Sequence, residues 1–373
     1  MCGGIKAVTG LHDIVKKMRK VRVLFMPTVD AGNTNAQSLN VREIALRLDP
    51  ERFQVTLWYE NKPDPRLRDR PAIRLLQLPR RQKSVRILRE MLAGYDIIAY
   101  VDHSPASYCF LHLPRPLRRG AKAVFHEEAP KAQIVHWSRT SRFLYQGISP
   151  RCDVYTGITE FVARDVYSNL GKEVRHVLPV GVDTKIFSPP GQRANPAPVV
   201  LFAGTLIERK GPLHVIEAAA QFPQATFRLV GASRDGFDEV LRQKISQLSL
   251  NNVRLEGPKT QSEMVEIMRM SDIFLLPSRL EGMPKVTLEA AATGLPCVVF
   301  KDYETPSVID GVTGFQVGTV EEMMQALAKL ISDRSQRERM GTAARKHMEN
   351  FDWDLVSRQW QNAYLEIAAA RVK

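Results

Sequence analysis

Two carboxylates, Glu281 and Glu289, are the side chains best placed to do chemistry. They lie in residues 276–300, LPSRLEGMPKVTLEAAATGLPCVVF. An apolar run ends at Pro277 and a loop carries Glu281. Pro284 then marks a helix start, where its fixed φ is pre-organised and its missing N–H costs nothing. Gly294 followed by Pro296 closes that helix. The free N–H groups of Lys285 and Val286 at its start form a ready anion site. Glu289 lies five residues into the helix, about 7.5 Å along the axis at 1.5 Å per residue. The two carboxylates therefore bracket a bound phosphate, and each can accept charge-assisted hydrogen bonds from sugar hydroxyls. Two glutamates at this separation occur in many helices. Pro284, Gly294 and Pro296 around them make the pattern specific.

A second segment of the same kind is VVLFAGTLIERKGPLHVIEAA, residues 199–219. Gly204 closes a strand, and Gly211 with Pro212 opens the next helix. Arg209 and Lys210 stand immediately before that opening. Two cations at a helix N-terminus, beyond the carboxyl end of a parallel strand, suit a diphosphate. Alone they read as exposed turn residues. Together with the first segment they read as convergent groups around one crevice.

These turns need a parallel sheet to hold them. Short apolar runs at 21–27, 54–59, 96–101 and 121–125 read as strands of a first half, and 199–204, 226–231, 253–257, 272–277 and 296–300 as strands of a second. Helical stretches separate them. Such alternation gives an α/β fold with two Rossmann-like domains. Residues 188–198, SPPGQRANPAP, hold four prolines and one glycine and read as the linker. The expected domains are 1–190 and 196–352, the second carrying both phosphate-binding turns. Residues 353–373 are expected to form a terminal helix that packs back toward the first domain. Asp352 and Asp354 read as its N-cap region.

Composition sets limits on function. Hydrophobic residues make up 44% and charged residues 25%, as in ordinary globular proteins. The four cysteines are scattered without a C-x-x-C pair, so neither a zinc site nor a disulfide framework is indicated. No apolar run reaches the roughly 20 residues of a membrane span. The first 20 residues lack an apolar segment of the signal-peptide type, and a cytoplasmic location is expected. The net charge of +13 is uneven: residues 1–195 carry 32 Lys and Arg against 18 Asp and Glu. A basic first half attracts phosphate-rich partners or an anionic membrane face. The arginines of residues 66–89, and Arg115, Arg118 and Arg119, are the candidate surface, with 66–89 read as an interfacial segment broken by Pro71 and Pro79. No G-x-G-x-x-G or Walker pattern is present, and no D-x-D precedes a cation site, so neither a metal nor a cofactor is expected.

Here the motifs acquire a family. Glu281 and Glu289 with the following A-x-G-L-P resemble the signature of the retaining glycosyltransferases of family four, which have the type-B fold of two facing Rossmann-like domains. Residues 204–211 (GTLIERKG) resemble that family's phosphate loop, 181–187 (GVDTKIF) its domain-boundary motif, 151–160 one of its strands, and 351–364 its terminal helix. The resemblance implies that Glu289 binds ribose, Glu281 the donor sugar and Lys210 the pyrophosphate. The backbone of Gly282, Met283, Pro284, Lys285 and Val286 would line the sugar and distal phosphate, with Gly204 and Thr205 in the phosphate loop. The loop of Gly257 and Lys259 would lie near the base. His126 would face the sugar, paired here with Glu127, and Gly32 would let the backbone approach a substrate. The chain departs from the family in three places. Thr205 stands where an arginine is usual, with Arg209 read as its replacement, Ala31-Gly32-Asn33 replaces a glycine pair, and Pro306-Ser307 replaces a Pro-Glu pair.

The function implied is transfer, with retention, of a hexose from a nucleotide-sugar to a glycan or lipid-linked acceptor. A UDP-sugar is favoured over a GDP-sugar, and the acceptor is expected to be anionic and held at a membrane surface. A nucleotide-sugar epimerase of the same fold is the alternative within enzymes. A nucleic-acid-binding protein is the alternative outside them, favoured by the basic charge but without any recognition motif for nucleic acid.

Overall fold

The computed structural model describes residues 19–370, apart from 28–29, 32–35, 79–80, 132–137, 192 and 194. The first sheet consists of β1 (Val21–Phe25), β2 (Phe53–Tyr59), β3 (Ile73–Gln77), β4 (Ile97–Ala99), β5 (Lys122–Glu127), β6 (Val154–Gly157) and β7 (His176–Val177). Their order is β3-β2-β1-β4-β5-β6-β7, and every pairing is parallel. The second sheet consists of β8 (Val199–Ala203), β9 (Thr226–Val230), β10 (Val253–Leu255), β11 (Ile273–Leu276), β12 (Cys297–Phe300) and β13 (Gly314–Val317). It is also wholly parallel, in the order β10-β9-β8-β11-β12-β13.

Parallel strands covered on both faces read as continuous apolar runs rather than alternating ones. The central strands obey this: Ile273–Leu276 and Cys297–Phe300 are buried at every position. The nine expected strands are all present, with ends shifted by one or two residues. The structure adds β3, β6, β7 and β13, of which β6 falls in the 151–160 segment. Residues 66–89 are thus not one interfacial segment. They divide into a turn at Pro65–Leu67, the edge strand β3 and a short helix at Lys83–Met91. Pro71 prevents a helix from running through, and the apolar run that follows it pairs with β2 instead.

Each sheet reverses its strand order once, between β1 and β4 in the first and between β8 and β11 in the second. Crevices for ligands open at such reversals, beyond the carboxyl ends of the strands. The turn at Arg115–Arg118 precedes β5, so Arg115, Arg118 and Arg119 lie at the opposite, amino ends of the strands of the first sheet. Arg115 and Arg118 are held there by Asp153, at 3.6 and 3.3 Å.

The last helix, Trp353–Ala369, belongs in space to the first domain. Asp352 caps it, accepting from the Asp354 N–H at 2.9 Å. Trp353, Trp360 and Tyr364 are each 1% exposed. Trp360 Nε1 donates to Pro179 O at 3.0 Å, and Gln361 accepts from the Asp49 N–H at 3.0 Å. Lys122 Nζ donates to the helix's last carbonyls, those of Ile367, Ala368 and Ala370. A cation at those unpaired carbonyls also complements the helix dipole. Aromatic side chains of this size bury about 150–250 Å² each, so the three rings fasten the end of the chain to the first domain.

Candidate functional site

The two turns singled out by sequence meet at the reversal of the second sheet. After β8 the chain passes Gly204, Thr205 and a 3₁₀ turn at Glu208–Lys210, and Gly211 caps the helix Pro212–Gln221. After β11 it passes Ser278 and Glu281, and Pro284 caps the helix Lys285–Ala292. Pro284 is therefore the residue before that helix rather than its first member. Gly211 has φ +70°, and a Cβ there would lie 2.3 Å from Pro277 O. Only glycine permits both the left-handed backbone and this close approach of the two turns.

Glu281 is the hub between them. Its Oε1 lies 2.7 Å from Lys210 Nζ and 3.3 Å from Arg209 Nη1, and it accepts from Ser278 Oγ at 2.7 Å. Arg209 also donates to Leu280 O. The cations expected to hold a pyrophosphate are thus aligned by the carboxylate expected to face the sugar. Ser278 belongs to this cluster, and its position three residues before Glu281 in one loop was the available signal for it.

Glu289 and Lys285 share the first turns of the next helix. Burial pushes the Glu289 carboxyl up to about 7, with Lys285 opposing the shift. Burial also lowers the Lys285 ammonium, which Glu289, Glu43 and Glu128 partly offset. Lys285 Nζ stands 5.9 Å from the Trp353 ring centre, so this side chain faces the first domain. Met283 and Gly282 are buried beside it.

The first domain presses directly on this loop. A Cβ on Gly282 would lie 1.7 Å from Glu128 O, just beyond β5. Glu304 crosses in the other direction and accepts from the Phe161 N–H at 2.7 Å, at the start of the helix Glu160–Leu170. A carboxylate there satisfies an unpaired helix N–H. His126, at the end of β5, is enclosed between Tyr100 and Trp360, with ring centres 4.8 Å away on both sides. Its Nδ1 lies 2.7 Å from Thr156 Oγ1, while Nε2 has no hydrogen-bond partner and stands 3.8 Å from Glu128. Burial depresses this imidazole to about 3, so it is neutral at physiological pH.

The partner expected for His126 is corrected by this geometry. Glu128 rather than Glu127 lies beside the ring, fixed by Tyr100 OH at 2.9 Å and Asn40 Nδ2 at 3.3 Å. Glu127 alternates to the other side of the strand, where burial raises it to about 8. Trp360 was reachable from the sequence as the residue seven after Trp353, on the same helical face. Tyr100 and Thr156 carried no local signal, because adjacent parallel strands bring them to His126. Lys259 sits in the loop after β10, 4.0 Å from Glu256. Gly32 lies outside the described residues.

Two sequence families match the chain. Residues 39–186 match the family described as Glycosyltransferase Family 4, and residues 183–347 match Glycosyl transferases group 1. Among curated relatives, a GDP-mannose-dependent monoacylated alpha-(1-6)-phosphatidylinositol monomannoside mannosyltransferase of Corynebacterium glutamicum is 29% identical, over 61% of this chain and 66% of that protein. A D-inositol 3-phosphate glycosyltransferase of Kribbella flavida is 32% identical over 49% of each. The matched region spans between about half and two thirds of these relatives' lengths. Sucrose-phosphate synthase from Thermosynechococcus elongatus superposes with a TM-score of 0.79 at 19% identity, covering 95% of this chain and all of that one. HepE of Anabaena, in a complex with UDP and glucose, gives 0.73 at 19% identity, covering 93% and 100%. At such identities the likeness speaks to fold, and both sheets here have the arrangement of the type-B fold.

Proposed function

The chain belongs to the family-four glycosyltransferases, and from that premise we propose that it moves a hexose from a nucleoside-diphosphate sugar to a glycan or lipid-linked acceptor. The observation that carries this reading is the cluster of Lys210, Arg209, Glu281 and Ser278 at the reversal of the second sheet, between the starts of two helices. Glu289, in the helix that follows, accepts the ribose hydroxyls when ionised. The diphosphate lies against the helix starts and Lys210, which stabilise the negative charge that grows as the glycosidic bond breaks. Glu281 fixes Lys210 and Arg209 in advance, so they need no reorganisation at that moment. His126 contributes as a neutral hydrogen-bonding group and carries no proton charge. The configuration at the anomeric carbon is retained, as in the family the motifs resemble. Closure of Gly282 on the Glu128 backbone keeps water from the reacting carbon.

The acceptor enters from the basic first domain. The helix Lys83–Met91 supplies a surface for anionic lipid, with Val85 65% exposed among Arg81, Lys83, Arg86 and Arg89. Binding to anionic liposomes that falls as salt rises supports this contact, and salt-independent association counts against it.

Calorimetric titration of UDP and GDP into the wild type and Glu289→Ala tests the donor site. One nucleotide should bind, and the variant should lose about 1.5–3 kcal/mol through its charge-assisted contacts. The sequence motifs favour UDP, whereas the Corynebacterium relative is named for GDP-mannose, so the same titration chooses the base. If neither nucleotide binds the wild type, the reading fails.

A further inference from the structure

The cleft between the domains is crossed at two points beyond the carboxyl ends of the strands. The Gly282 loop after β11 packs on Glu128 O after β5. Glu304, just past β12, accepts from the Phe161 N–H at 2.7 Å, at the start of the helix that follows β6. Since β11 and β12 are neighbours in the second sheet and β5 and β6 in the first, the two crossings lie side by side. They differ in kind. The first is backbone packed on backbone, which limits how closely the domains approach. The second is a charge-assisted hydrogen bond, which draws them together.

Both ends of the second contact are built to hold it. Tyr303 and Thr305, on either side of the half-buried Glu304, are 3% and 2% exposed, so the backbone that presents the carboxylate is fixed. Asp302 pairs with Arg279 at 2.8 Å and ties this segment to the loop that carries Glu281 and Gly282. In the first domain, Thr159 Oγ1 accepts from the Val162 N–H at 3.2 Å and Thr159 O from the Ala163 N–H at 2.9 Å. The Phe161 N–H is left for Glu304, at the positive end of an eleven-residue helix. Asp165, in the same helix, accepts from the Lys131 N–H at 2.9 Å and so ties the helix to the segment that follows Glu128. The two crossings are therefore joined on each side, by Arg279 and Asp302 in one domain and by Asp165 and Lys131 in the other.

We propose that Glu304 is a positioning residue, the latch that holds the first domain against the donor loop once a nucleotide is bound. The inference rests on the transferase reading. When the domains meet, the carboxylate exchanges water for a helix N–H that has no partner within its own domain. The latched form brings His126 and Glu128 to the donor loop. Release withdraws them, while Lys210, Glu281 and Glu289 stay together on the second domain. Loss of the latch therefore leaves the nucleotide site intact and shifts the domains apart. Thr159 caps the helix from within the first domain, so the helix does not depend on Glu304 to form.

The test compares the full chains of wild type, Glu304→Ala and Glu304→Gln, with and without UDP or GDP. Amide hydrogen exchange is followed at Phe161, Val162 and Ala163, and the radius of gyration by small-angle scattering. In the wild type, whichever nucleotide binds should slow exchange at Phe161 and reduce the radius. With nucleotide bound, the Phe161 amide of Glu304→Ala should exchange about fivefold faster or more, while Val162 and Ala163 keep their rates. Its radius should stay at the larger value, with nucleotide affinity within about twofold of wild type. Glu304→Gln keeps an oxygen acceptor without the charge and should fall between the two. Equal exchange at Phe161 in wild type and Glu304→Ala overturns the latch, because the contact then does not form in solution. Faster exchange with an unchanged radius also overturns it and leaves Glu304 as a helix cap only. Equal loss of protection at Val162 and Ala163 overturns it as well, because the helix then needs Glu304 to form. If neither nucleotide binds, the transferase reading fails, and exchange at Phe161 with the radius of the unliganded chains still decides whether Glu304 joins the domains.

Discussion

Lys210 Nζ stands 2.7 Å from Glu281 Oε1, and this ion pair joins the turn after β8 to the turn after β11 across the reversal of the second sheet. Both side chains are well shielded, so neither charge is easily left alone. Arg209 and Ser278 remain on Glu281 when Lys210 is lost, which softens the penalty. Lys210→Met should therefore cost about 1–3 kcal/mol of stability, measured by urea unfolding. Its nucleotide affinity should fall more than tenfold by calorimetry. A variant that binds UDP and GDP like the wild type would remove Lys210 from the donor site.

Glu289 makes nucleotide binding dependent on pH. Its carboxyl titrates near 7 in the folded chain, against an ordinary value of about 4.3. The folded state thus holds this proton more tightly than the unfolded state does. The group costs stability as pH rises between those two values, and the cost is absent below them. The ribose contacts need the ionised form, so nucleotide affinity should rise about tenfold from pH 6 to pH 8. Binding near pH 7 should release protons, seen as an enthalpy that varies with the buffer. Glu289→Gln should bind weakly with a flat profile, and a wild-type profile equally flat would show that the carboxylate is not used.

The two-domain fold and the donor-side turns were legible because their signals are local. Pro284, Gly294 and the glutamates lie within one strand–loop–helix unit, and hydrophobic runs mark central parallel strands directly. What escaped depends on distance. The edge strand β3 hides among arginines because its outer side has no neighbouring strand, and β7 is only two residues long. Sequence places Glu281 and Lys210 around one crevice but assigns them separate roles, to sugar and pyrophosphate, and their direct pairing appears only in the structure. His126 reads as a strand-end histidine facing the sugar, and its enclosure by Tyr100 from β4's end and Trp360 from the last helix has no local signal. The arginines before β5 read as a binding surface until the direction of the strands puts them at the amino ends, away from the crevices.

Gly282 sets how closely the domains approach. A Cβ there would overlap Glu128 O, a backbone atom that cannot rotate away. Gly282→Ala should force the loop and β5 apart while leaving Glu289 and Lys210 in place on the second domain. We expect nucleotide affinity within about threefold of wild type and transfer at least tenfold slower. Small-angle scattering of the nucleotide-bound variant should show a larger radius of gyration. Unchanged transfer would mean that this contact does not form during the reaction.

Trp360 supplies one face of the enclosure around His126 and is itself 1% exposed. Removing it should cost about 3–5 kcal/mol, as for other buried tryptophans cut to alanine. That loss reports on folding alone, so Trp360→Phe is the more informative change. It keeps an aromatic ring over His126 but gives up the Nε1 hydrogen bond to Pro179 O. If the enclosure serves only to hold the last helix, Trp360→Phe should be less stable by about 1 kcal/mol and transfer normally. If it also aims the imidazole, with Nδ1 held by Thr156, transfer should slow by more than the stability loss explains while nucleotide affinity stays put. Thr156→Val should then repeat the defect and Thr156→Ser should not. Measuring turnover and nucleotide affinity for these three variants separates alignment of His126 from simple attachment of the chain's end.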